Sequence, residues 1–261
     1  TCFIINKINI RIQLFIFVLK IFISAYYKMT KIYYVTYATH SFGMFEELVN
    51  NEFNIKITVL GYGKKWNGFM DKINSVMEFS KTINDNDIIV FIDGFDSKVN
   101  KNTSGLLNEF YKYNCDILVS ADPVNKNNIF LYYASKRVFG IADGDTIANS
   151  GLYMGYAKAI NKLCKKILEK NILDDQEGFN KYFNKQSMKI DFNNKIFHNV
   201  RYNCNSVVSS AYFVSYPGAV KASFGEKIIR YKRAIGEYWR YFIPEIILLL
   251  VILICIIFLM S

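Results

Sequence analysis

Residues 88–99 read IIVFIDGFDSKV. Five apolar residues in a row, bounded by polar ones, mark a central strand of a parallel sheet, covered on both faces. Asp93 and Asp96 then stand at its carboxyl end, three residues apart across a tight turn in which Gly94 permits an unusual backbone. Ligands of open α/β sheets bind at such strand ends. Two carboxylates aimed at one spot repel each other unless a cation lies between them. Hard divalent ions such as Mn²⁺ or Mg²⁺ favour oxygen ligands and complete their shell with phosphate oxygens, so the motif reads as a metal–diphosphate site. Two other readings stay open at this point. Asp93 caps a helix while Asp96 is merely solvated, or Asp93 is a phosphatase-type nucleophile. The second expects another Asp two residues on, where Phe95 stands.

Outward from this strand the pattern alternates. KIYYVTY (31–37), KITVL (56–60) and DILVSA (116–121) read as strands, and MFEELVNN, residues 68–82 and SGLLNEFYKY as helices. Strand–helix alternation predicts an α/β fold with a parallel sheet and right-handed crossovers. The stretch NKNNIFLYYASKRVFG (125–140) reads as a loop.

The chain has 261 residues, of which 52% are hydrophobic and 21% charged, which excludes a disordered protein. Its net charge of +10 sits at the ends. Residues 1–28 and 221–240 each carry +4, and residues 29–220 only +3. A nucleic-acid binder would place its basic stripe on the folded body, so no nucleic-acid partner is expected. The excess flanks apolar segments and suits an anionic membrane surface. Five widely spaced cysteines without a CxxC motif favour reduced thiols in the cytosol.

Residues 246–260 are apolar without exception, and with residues 241–245 they reach the length of a hydrocarbon core, interrupted only by Glu245. Tyr238, Trp239 and Tyr241 form an aromatic collar, preceded by Arg230, Lys232, Arg233 and Arg240. The prediction is a single-pass C-terminal membrane anchor over 241–260, with the body in the cytosol. Residues 1–28 form an apolar, basic segment, either an anchor or a translated upstream stretch ahead of Met29.

A collinear series of motifs runs through residues 31–222: VTYAT (35–39), TVLGYGKKW (58–66), IIVFIDGFD (88–96), LVSAD (118–122), NSGLYMGYA (149–157), DDQ (174–176), IDFNNKIFHN (190–199) and YPGAVK (216–221). In these the chain resembles the glycosyltransferase domain of the procollagen lysyl hydroxylase/glycosyltransferase family, and related enzymes of large DNA viruses. The resemblance implies a GT-A fold over residues 29–222, a Rossmann-type, mostly parallel sheet flanked by helices. A basic linker (223–240) and the transmembrane helix follow. It further implies a UDP-sugar donor, Mn²⁺ (or Mg²⁺) held by Asp93 and Asp96, and transfer of a hexose to a hydroxyl acceptor on a protein or glycan, such as hydroxylysine of a collagen-like protein. Thr39 and Trp66 match positions touching the nucleoside, and Phe95 stands where the family stacks a tyrosine on uracil. Lys72 and Lys221 lie where a base-bearing side chain would meet the diphosphate, with Gly218 beside the latter. Asn149, Ser150 and Gly151 would shape the sugar pocket. Asp174 and Asp175 match an acidic pair that would orient the sugar or deprotonate the acceptor. The family's metal-binding histidine aligns with Ser215, and its tryptophan-bearing loop has no counterpart between Asp122 and Asn149. These departures keep an alternative in play, a catalytically impaired, membrane-anchored binding or scaffold protein. His198 reads as a surface or packing residue.

Overall fold

The computed structural model describes residues 30–170, 172–200, 208–217, 232 and 235–260. In chain order these form β1 (Ile32–Tyr37), α1 (Phe45–Val49), β2 (Ile57–Leu60), α2 (Met70–Ser80), β3 (Ile88–Ile92) and β4 (Ser97–Val99). Next come α3 (Leu106–Tyr111), β5 (Ile117–Ala121), α4 (Ile129–Phe139), β6 (Ala148–Tyr156), α5 (Ala157–Leu168) and α6 (Asp175–Lys181). The body closes with β7 (Met188–Asp191), β8 (Phe197–Asn199) and β9 (Phe213–Ser215). Residues 1–28, Gly218, Lys221 and most of the linker lie outside the described residues.

Strand β3 is buried along its whole length, as its unbroken apolar run predicts. Its alternate side chains feed two cores. Ile89 and Phe91 pack with Ile73 and Val76 of α2, Ile160 and Ile167 of α5, and Phe179 of α6. Ile88, Val90 and Ile92 pack with Leu48 of α1, Leu106 and Phe110 of α3, and the small-sheet residues Phe197 and Phe213. Full burial of each such side chain contributes about 1.5–3 kcal/mol. Helix α5 shows how its sequence selects the face: Ala157, Ile160, Leu163, Cys164 and Ile167 repeat at helical spacing and are its buried residues.

The main sheet has the order β2-β1-β3-β6-β5-β7, and β4-β9-β8 make a small second sheet. Strands β1, β2 and β3 are mutually parallel, as are β5 and β7. The fold is therefore mixed α/β with a mostly parallel sheet, as predicted, with one correction. Strand β6 lies between β3 and β5 and runs antiparallel to both. Phe91 and Tyr153, opposite each other in that pairing, stack with centroids 4.9 Å apart.

A second correction concerns residues 125–140. They contain helix α4, not a loop alone. The Asn128 side chain caps it by accepting the Leu131 N–H at 3.1 Å, and Gly140, at φ 77°, ends it.

A 3₁₀ turn (Trp239–Phe242) leads into helix α7 (Ile243–Met260). Among the described residues one helix is long and apolar enough to cross a membrane. It covers Ile235–Ile257, and its most apolar 18-residue stretch has a mean hydropathy of 2.5 with no residue buried inside the protein.

Candidate active site

The carboxyl end of β3 opens into a cleft of about 800 Å³ lined by Asp93, Asp96, Asp174, Asp175 and Lys72, with Asn149, Ser150 and Gly151 on one wall. The acidic turn is fixed from both sides. The Asp93 N–H donates to the Gly151 carbonyl at 2.8 Å, and the Asp96 carbonyl accepts the Tyr216 N–H at 2.8 Å. Gly94 is needed here for space rather than for a left-handed backbone. A Cβ there would lie 2.9 Å from Thr36 Oγ1 and 3.0 Å from the Tyr37 carbonyl oxygen. Residues 149–151 belong to β6, and the antiparallel β3–β6 register, with Ile92 opposite Leu152, carries on to set Gly151 beside Asp93.

Lys72, from the first turn of α2, is the cation that separates the acids. Its Nζ lies 3.2 Å from Asp93 Oδ2 and 2.8 Å from Asp175 Oδ2. Burial alone would lower its pKa, but the charges of Asp175 and Asp93 outweigh this and hold it above the usual lysine range. Ser150 Oγ donates to the same Asp175 oxygen at 2.9 Å. Asp96 accepts hydroxyl hydrogen bonds from Ser215 at 3.0 Å and Ser97 at 3.2 Å. Burial, and then the neighbouring Asp93 charge, still push its carboxyl up to about 7.

Asp174 caps α6. Its Oδ1 accepts the N–H groups of Gln176 at 2.8 Å and Glu177 at 3.2 Å, and its Oδ2 accepts the Tyr238 hydroxyl at 2.7 Å. Burial, followed by the Asp175 charge, pushes Asp174 up to about 6 against those donors. Beside it Asn149 donates to Gln176 Oε1 at 3.1 Å, and Gln176 donates to Asp122 Oδ2 at 2.9 Å.

Of the residues predicted from the sequence, Asp93, Asp96, Lys72, Phe95, Asn149, Ser150, Gly151, Asp174 and Asp175 line the one cleft. Thr39 and Trp66 stand behind its wall. Thr39 reaches it through His40, its Oγ1 lying 2.9 Å from Nδ1, and Trp66 through Phe69, with ring centroids 5.6 Å apart. Phe95 packs against His40 and Phe42. His198 is half-buried, 2.9 Å from Ser209 Oγ, away from the cleft.

Sequence reasoning missed His40, Phe69, Gln176 and Tyr238 as lining residues. Gln176 lay in the DDQ motif and could have been named with it. Tyr238 carried no such signal, because the collar reading pointed it at lipid. The motif IDFNNKIFHN has a structural role. Asp191 is fully buried and accepts the Ile196 and Phe197 N–H groups at 2.7 and 2.8 Å, while Asn199 donates to Ser120 Oγ at 2.8 Å.

Among the described residues no three His, Cys, Asp or Glu side chains gather to hold a metal ion. The donor chemistry nevertheless suits a divalent ion that takes part of its shell from a ligand. Two carboxylates share the cleft, and burial and the Asp93 charge oppose the ionisation of Asp96.

Among solved structures, the apo form of mouse xyloside xylosyltransferase 1 aligns with a TM-score of 0.44 and 9% identity, over 74% of this chain and 100% of that one. The galactosyltransferase LgtC, in complex with donor and acceptor sugar analogs, aligns with a TM-score of 0.41 and 13% identity, over 70% of this chain and 86% of that one. The multifunctional procollagen lysine hydroxylase and glycosyltransferase of Caenorhabditis elegans is 27% identical over 187 residues, which are 64% of this chain and 25% of that protein. The chain thus spans about a quarter of that relative's length. The profile described as PLOD GT domain matches residues 28–213, nearly the whole body, and the chain belongs to that family of glycosyltransferase domains.

Proposed function

We propose that this protein transfers a hexose from a UDP-sugar to a hydroxyl group of a protein or glycan acceptor. Hydroxylysine of a collagen-like protein is the acceptor class suggested by the relative's name. The observation that carries the reading is the convergence of Asp93, Asp96, Asp174 and Asp175 on one cleft at the carboxyl end of β3. Asp93 and Asp96 would hold Mn²⁺ or Mg²⁺. When bound, the ion supplies charge neutralisation for the departing diphosphate. Lys72 holds Asp93 and Asp175 in place through two ion pairs, and Ser215 orients Asp96. Phe95, among His40 and Phe42, offers a ring face to the uracil. Asn149, Ser150 and Gly151 form the wall against which the sugar rests. Asp174, pushed up to about 6, is suited to accept a proton from the acceptor hydroxyl near neutral pH. Gly218 and Lys221, which lie outside the described residues, would meet the diphosphate, as the resemblance implies. The apolar helix α7 would anchor the protein in a membrane, with the body on the cytosolic side.

Hydrolysis of UDP-glucose and UDP-galactose, with Mn²⁺ and with chelator, tests the assignment. Turnover should vanish with chelator and in Asp93→Ala, while the variant's thermal midpoint stays within a few degrees. Equal turnover in variant and wild type refutes it. A second reading, a donor-binding protein without turnover, is favoured by Ser215 standing where the family has a metal-binding histidine. Calorimetric binding of UDP without any hydrolysis would select it.

A further inference from the structure

Helix α4 begins with apolar side chains that nothing among the described residues covers: Ile129 is 75% exposed, Phe130 88% and Leu131 59%. Isolated exposed apolar residues are ordinary, but a cluster of this kind on one helical turn has a partner. The position of α4 says which. Its last residue, Phe139, packs its ring edge-on against Tyr238, centroids 5.8 Å apart. Two turns back, Tyr133 donates to Glu245 Oε1 at 2.7 Å, and Arg137 Nε lies 3.6 Å from the same oxygen. As α4 is followed from 139 back to 133, its contacts advance along the C-terminal segment from 238 to 245. The two therefore run antiparallel. Phe130, Tyr133 and Arg137 share one stripe of α4 at helical spacing. With a rise of about 1.5 Å per residue, Ile129 and Phe130 lie roughly 5 Å beyond the level of Glu245. That is the level at which the unbroken apolar run of α7, from Ile246 onward, begins. Tyr133 and Arg137 also satisfy one oxygen of Glu245, the one acid of that helix.

We infer that the first turn of α4 is a second membrane contact, seated at the headgroup–acyl boundary of the same bilayer that α7 crosses. The occupant is lipid rather than a protein partner, because the exposed cluster continues the apolar surface of α7 at one depth. The exposed cations Lys126, Lys136, Lys232 and Arg240 flank the two helices, where anionic headgroups would meet them. Phe139 and Tyr238 also line the cleft, so this seating places the mouth of the active site against the membrane surface. The inference rests on reading α7 as a membrane span.

The full chain, reconstituted into phosphatidylcholine–phosphatidylserine vesicles containing a phospholipid with an acyl-chain diazirine, is photolysed and its adducts are mapped by mass spectrometry. Adducts are expected on peptides covering both 246–257 and 129–133. The double variant Ile129→Asn/Phe130→Asn, at two exposed sites, should keep the thermal midpoint and the 246–257 adducts and lose those at 129–133. Adducts on 246–257 alone in the wild type overturn the inference and leave the anchor standing. Adducts on neither segment overturn the anchor reading and this inference with it.

Discussion

Asp174 carries three loads at once. It caps α6, accepts the Tyr238 hydroxyl, and sits beside the Asp175 charge in a buried site. Its carboxyl, pushed up to about 6, binds a proton more tightly in the folded chain than in the unfolded one. Between about pH 4 and pH 6 the folded state holds that proton while the unfolded state has released it. Stability from this group is therefore full at low pH, falls as pH rises through that window, and stays low above it. Asp174→Asn keeps a good capping residue and removes the charge. At pH 7 the variant should melt about 2–4 °C higher than wild type, the shift expected for roughly 1 kcal/mol in a domain of this size, and at pH 4 the two should coincide. Its transfer rate should fall by about 100-fold or more if Asp174 accepts the acceptor's proton. Melting curves at the two pH values and a rate at pH 7 check both. A higher midpoint at both pH values would remove the ionisation argument, and an unchanged rate the catalytic one.

At the level of elements, the antiparallel insertion of β6 between two parallel groups depends on close backbone approach. Gly155 pairs with Ile89 on one side and Ile117 on the other. A Cβ at that position would collide with the Asp116 carbonyl oxygen and lie 3.0 Å from Ile117 Cα, both backbone atoms that cannot swing aside. Gly155→Ala should therefore cost about 1–3 kcal/mol, read as a lower denaturation midpoint, and an unchanged midpoint would show that β5 and β6 can slide apart. The same strand shows where sequence reading stops. Strand β3 and its acidic turn were legible because burial on both faces writes an unbroken apolar run, and α2 because Ile73 and Val76 keep helical spacing. The direction of β6 was not legible, since alternation reads the same from either end. Helix α4 was legible in part: Asn128 and Gly140 bracket it, but its exposed apolar first turn gives no single buried stripe. Tyr238 was not legible at all, as its partner Asp174 lies 64 residues away.

Across the whole molecule, α7 stands clear of the body, with its side chains exposed from Ile246 to Ile257. Deleting residues 243–261 should abolish co-sedimentation with vesicles while leaving the thermal midpoint unchanged. Persistent sedimentation would move the anchoring role to the first turn of α4 or to residues 1–28. The turn that leads into α7 is a different matter. Tyr238 and Tyr241 were predicted to form a lipid-facing collar with Trp239. Their hydroxyls instead reach back 2.7 and 2.6 Å to Asp174 and Glu177 on α6. With α7 as an anchor, those two bonds leave the catalyst no stalk. An enzyme leashed so tightly to a membrane could not sweep the bulk solution. So anchored, it would work as a surface reader, and the density of acceptors brought to that surface, rather than their concentration in free solution, would set how often a sugar changes hands.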